Sequence, residues 1–113
     1  MKEAEFLVIG KTLVITLLQE LDHHIATYIK EESDNIMNKR NIKNVIINFE
    51  HISFMDSSGI GVIIGRYKRI MYLNGKLIAV NMQPTVKRIF KMSGLHKIMY
   101  CCDTMKDAMN TVE

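Results

Sequence analysis

Apolar residues recur along this chain with two different periods, and the alternation between them predicts an α/β domain. Residues 5–9 and 12–18 are short runs rich in β-branched side chains joined by Gly10-Lys11, which reads as a β-hairpin. From Asp22, a residue type suited to helix N-caps, the positions Ile25, Ala26, Tyr28, Ile29, Ile36 and Met37 mark one helix face up to about Asn38, with Lys39-Arg40-Asn41 closing it. Residues 44–49 form a near-continuous apolar run, the pattern of a strand covered on both faces and paired in parallel at the centre of a sheet. Asp56-Ser57-Ser58-Gly59 then precedes a helical pattern that reaches about Tyr72 and ends at Leu73-Asn74-Gly75. A strand at 76–80, a helix opened by Pro84 and closed by Ser93-Gly94, a last strand at 97–100 and a terminal helix capped by Asp103 complete the prediction.

The helix that starts at the serines has two unlike faces. At about 100° per residue, Ile60, Ile63, Ile64, Tyr67, Ile70 and Met71 form a core stripe. The opposite face carries Ser58, Gly61, Val62, Gly65, Arg69 and Tyr72, with two mid-helix glycines and no acid. An exposed interior Gly costs about 0.8–1 kcal/mol relative to Ala, so this face gives up nearly 2 kcal/mol of helix stability. Close approach by another backbone is the simplest reason to omit both Cβ atoms. At the N-terminal end, where backbone N–H groups lack partners and the macrodipole is positive, one capping side chain is sufficient, yet Asp56, Ser57 and Ser58 stand in a row. A phosphoryl group on a serine here would add about −1.5 to −2 charges beside Asp56 and penalise any partner packed on the glycine face. A penalty of about 3 kcal/mol would lower affinity about a hundredfold.

Composition narrows the classes. The chain has 113 residues, 48% hydrophobic and 24% charged, which predicts one domain over residues 1–113 with a normal core. No apolar run is long enough to span a bilayer, and acids stand in the first five residues where a signal peptide would carry only bases, so a cytoplasmic protein is expected. Cys101 and Cys102 are neighbours, a poor geometry for a mutual disulfide, and they lack the second pair a zinc site needs. The four histidines have no metal-ligand spacing, so neither metal nor cofactor is expected. The net charge of +3 conceals an uneven distribution: residues 57–102 contain no acid and eight bases, among them Arg66, Arg69, Lys87, Arg88 and Lys91. Such a segment permits an anionic partner, although solvated helix ends would look the same.

Gly59-x-Gly61-x-x-x-Gly65 after a strand is a loosened dinucleotide fingerprint, but no acid between Asp56 and Asp103 is available for a ribose and no room remains for a substrate domain. Neither serine lies in a Gly-x-Ser-x-Gly elbow, which argues against a serine hydrolase. The cations are interrupted by core positions such as Ile89 and Phe90, and no nucleic-acid-binding module is recognisable. A non-catalytic nucleotide-binding domain or a permanent scaffold subunit stands as the alternative to a partner-binding regulator.

The segment Phe54-Met55-Asp56-Ser57-Ser58-Gly59-Ile60-Gly61-Val62-Ile63-Ile64-Gly65-Arg66-Tyr67-Lys68 resembles the signature of the anti-sigma factor antagonists of the STAS superfamily, and within them the sporulation type of the sigma-F pathway. The likeness extends through residues 20–24 and 84–95, and so over nearly the whole chain. It implies a small STAS-type domain, a mixed β-sheet covered by about four helices, with no catalysis of its own and no direct contact with nucleic acid or membrane. It implies a partner that is both anti-sigma factor and serine kinase, displaced from its sigma factor by the unmodified antagonist. The kinase would phosphorylate Ser57, and a serine phosphatase would restore the hydroxyl. The implied partner surface takes in Glu20, Asp22, His23 and His24, together with Asp56, Ser57, Ser58, Gly59, Gly61, Val62, Gly65 and Arg69. Two positions depart from the pattern: Gln19 replaces a common Gly, and Cys101-Cys102 has no counterpart.

Overall fold

The computed structural model describes residues 2–113. A hairpin of β1 (Ala4–Ile9) and β2 (Thr12–Leu17) is followed by α1 (His23–Lys39), β3 (Asn44–Asn48), α2 (Ser57–Tyr72), β4 (Leu77–Val80) and α3 (Pro84–Ser93). A 3₁₀ turn at Leu95–Lys97, β5 (Tyr100–Cys102) and α4 (Met105–Val112) finish the chain. The five strands form one mixed sheet in the order β1-β2-β3-β4-β5. Only the β1–β2 pair is antiparallel; β2–β3, β3–β4 and β4–β5 are parallel. Gly10 takes a φ of +59° in the two-residue loop of the hairpin, a conformation that favours glycine.

Alternation along the strands divides the core into two layers. Leu13, Ile15, Leu17, Val45, Ile47, Leu77 and Ala79 belong to the layer that also contains Ile25 and Ile29 of α1, Ile63 and Ile70 of α2, and Val86 and Phe90 of α3. Phe90 meets Phe49 edge to face at 5.4 Å. On the other side, Val14, Ile46, Ile78 and Val80 pack with Ala108 of α4. All five residues of β3 are buried, as the apolar run predicted.

Three local expectations are corrected. The last strand lies at Tyr100–Cys102 and not at 97–100, because Gly94 turns into the left-handed region at φ +82° and Leu95 plugs the core, so that residues 95–97 are spent in the 3₁₀ turn. The cap of α4 is Thr104, whose hydroxyl accepts from the Asp107 N–H at 3.1 Å; with the strand running to Cys102, the turn falls one residue later than Asp103. On α2 the buried line is Gly59, Ile63, Arg66 and Ile70, with Ile60, Ile64 and Tyr67 half-buried beside it, while Met71 is exposed.

Arg66 is therefore not one of the solvated cations. Only 4% of it is accessible, and its Nη1 donates to Asp34 Oδ1 at 2.6 Å and to the buried Ser33 hydroxyl, both on α1. Burial opposes the ionisation of Asp34, but hydrogen bonds from Arg66 and Lys30 outweigh it and hold the carboxyl below its ordinary range. This cluster ties α2 to α1, the two helices that border the predicted partner surface.

Candidate partner-binding site

The start of α2 separates the three candidate caps by role. Asp56 has extended backbone at the N-cap, and its Oδ1 accepts from Ser58 N at 2.9 Å and Gly59 N at 3.3 Å. Ser58 Oγ lies 3.4 Å from His23 Nδ1 at the start of α1. Ser57 is exposed, and among the described residues its hydroxyl has no hydrogen-bond partner. One serine is thus left free for chemistry.

The 19–22 loop is bound to this helix start from several directions. Leu21 is buried and forms a parallel bridge with Met55, and Leu21 O accepts from Asp56 N at 3.4 Å. The Glu20 carboxylate accepts from Ser53 N at 2.9 Å and Phe54 N at 2.7 Å, acting as a cap for the turn before α2. Gly59 is dictated by this contact: a Cβ there would stand 2.9 Å from both Leu21 Cγ and Leu21 O. Gly61 and Gly65 differ, since a Cβ at either would meet nothing within 4 Å. Packing inside the chain gives no reason for the absence of those two side chains.

The expected residues separate into two groups. Asp22 caps α1 by accepting from Ile25 N at 3.0 Å, and His23 faces Ser58 across a groove of about 250 Å³ lined by Thr27, Lys30, Gly61 and Val62. Glu20, Asp22, His23, Asp56, Ser57, Ser58, Gly59, Gly61 and, at the groove wall, Val62 therefore gather at one end of the α1–α2 pair. His24 turns instead toward Glu3, at 3.7 Å. Val62 is half-buried against the core, and Arg69 lies three turns along α2, where it donates to Asp34 Oδ1 at 3.1 Å and Asn38 Oδ1 at 2.6 Å. Gly65 continues the open strip beyond Gly61. Sequence reading missed Thr27 and Lys30, which their spacing from His23 along α1 would have indicated, and Phe54, which is 57% exposed beside Asp56.

A mixed five-stranded sheet, a capped serine segment at a helix start and a loop latched against it define a class. Residues 3–108 match the STAS domain family model, and the chain belongs to that family. Within it, the chain is 37% identical over 101 residues to the anti-sigma F factor antagonist of Paenibacillus polymyxa, covering 89% of this chain and 86% of the relative. Its fold superimposes on the anti-sigma factor antagonist SpoIIAA in its unphosphorylated form with a TM-score of 0.85 and 34% identity, over 96% of this chain and 95% of the other. The phosphorylated form of the Bacillus cell fate determinant SpoIIAA gives a TM-score of 0.76 at 34% identity, over 97% and 99%. Among the described residues, no helix is long and apolar enough to cross a membrane.

Proposed function

We propose that this chain is an anti-sigma factor antagonist that docks on an anti-sigma factor with serine kinase activity, frees the sigma factor, and is switched off by phosphorylation of Ser57. One observation carries the reading: an exposed serine hydroxyl, unused by the fold, stands between a carboxylate that caps the helix and a helix face left bare at Gly61 and Gly65. In the unmodified state a partner backbone can approach that face closely, with the latched 19–22 loop as the second wall. Transfer of a phosphoryl group to the Ser57 oxygen, with loss of the hydroxyl proton, sets about two negative charges next to Asp56 at the rim of the contact. Repulsion and the cost of desolvating the new group then fall on the complex and not on the free domain. A penalty of about 3 kcal/mol corresponds to about a hundredfold loss of affinity, and a serine phosphatase reverses it.

The test is intact-mass analysis after incubation with ATP and the kinase, mapping of the modified residue, and calorimetric titration of both forms. One added phosphoryl group on Ser57, tight binding by the bare form and by Ser57→Ala, and weak binding by the modified form and by Ser57→Asp are expected. Modification at another residue, or equal affinity of the two forms, overturns the proposal.

A further inference from the structure

A cavity away from Ser57 lies between α3 and the end of β5. It has a volume of about 560 Å³, within the range of small-molecule sites; Met82 and Pro84 supply its apolar walls, and the core residue Phe90 lies at its floor. Lys87, Arg88 and Lys91 also line it, together with His96 and one acid, Asp103. Burial, and secondarily the neighbouring Cys102, push the Cys101 thiol up, so this further lining group is neutral near pH 7.

The charge on α3 is arranged against its own helix. Lys87 and Lys91 are an i, i+4 pair of like charges, Arg88 adds a third, and the helix contains no acid. Lys87 and Arg88 lie in the N-terminal half, where the macrodipole is already positive. Nor is that end capped: Gln83, at the N-cap, makes no side-chain bond to the helix and donates instead to Glu50 O at 3.3 Å. The acid that reaches these cations is Asp103, 3.9 Å from Lys87 and largely in solvent. A cavity with an apolar lining, three cations and an uncapped helix end is complementary to an organic anion with a hydrophobic body.

We infer that the α3–β5 cavity is a binding site for a small amphiphilic anion, its hydrocarbon or aryl body against Met82, Pro84 and Phe90 and its single carboxylate or phosphate head held by Lys87, Arg88 and Lys91. The site is separate from the Ser57 surface and does not depend on its function.

Octanoate is the probe, with acetate and 1-octanol as head-only and body-only controls, each titrated into the ¹⁵N-labelled full chain and followed amide by amide by NMR. Octanoate should give saturable shifts confined to residues 82–103, with an affinity at least tenfold above either control. The Lys87→Gln/Lys91→Gln double variant should keep the dispersed spectrum of the folded domain and bind octanoate at least fivefold more weakly. Shifts spread over β1 or α1, 1-octanol binding as well as octanoate, or an unchanged affinity in the double variant would each overturn the assignment.

Discussion

Gly61 and Gly65 leave open space where a side chain would stand, so replacing both with Ala should make the free protein more stable and the complex weaker. Each Gly→Ala change in a solvent-accessible helix interior is worth about 0.8–1 kcal/mol; Gly61 is exposed and Gly65 half-buried, and beyond the adjacent backbone of the helix itself nothing lies within 4 Å of either added methyl, so no clash subtracts from it. The pair should therefore add about 1.6–2 kcal/mol, or roughly 6–8 °C in Tm for a domain of this size. Gly59→Ala is the internal control: its methyl would stand 2.9 Å from Leu21 Cγ and the Leu21 carbonyl, and should cost about 1–3 kcal/mol through overpacking. Urea unfolding at a constant m-value measures all three variants, and titration with the proposed kinase partner measures docking. If the Gly61→Ala/Gly65→Ala protein gains no stability, the reading of an open face is wrong. If it gains stability and binds with undiminished affinity, the glycines do not serve the partner.

The division of labour in the cap gives a second expectation. Asp56→Ala should lower stability by about 1 kcal/mol, whereas Ser57→Ala should change it by no more than a few tenths, both read by urea unfolding. Comparable losses in the two variants would refute it. The Arg66–Asp34 contact makes a third expectation with a defined sign. Because the Asp34 carboxyl is held below its ordinary value of 3.8, its contribution is complete above that pH and is lost as the pH falls through the still lower folded value. Asp34→Asn should be the less stable protein at pH 7, with the gap to wild type narrowing below about pH 4 in an acid unfolding series. A gap that is independent of pH would rule out the ion pair as its source.

Local patterns in the chain were sufficient for the hairpin, the central strand and the helix starts at Asp22 and Asp56, because each depends on neighbouring residues: β-branched runs, a Gly turn, or a cap beside a periodic stripe. What escaped depends on residues distant in sequence. Arg66 reads as one more cation on a basic segment, and only its approach to Ser33 and Asp34, on a different helix, accounts for its burial. Glu20 reads as a charged loop residue, yet its carboxylate organises the turn at Ser53 and Phe54. The misplaced last strand has a similar cause: Ile98-Met99-Tyr100 has strand composition, but Leu95 must first fill its place beneath α3 before the chain can enter the sheet. Arg69 shows that facing away from the core is not the same as facing solvent, since α1 occupies that side.

The bridge between Leu21 and Met55, with Gly59 pressed against the same leucine, makes the region around Ser57 a mosaic of two stretches distant in sequence. No short peptide copied from either stretch can reproduce that mosaic, and melting the domain destroys it while leaving the serine itself intact. A partner that docks as proposed would thereby also inspect the integrity of the domain, and an unfolded molecule would not engage it.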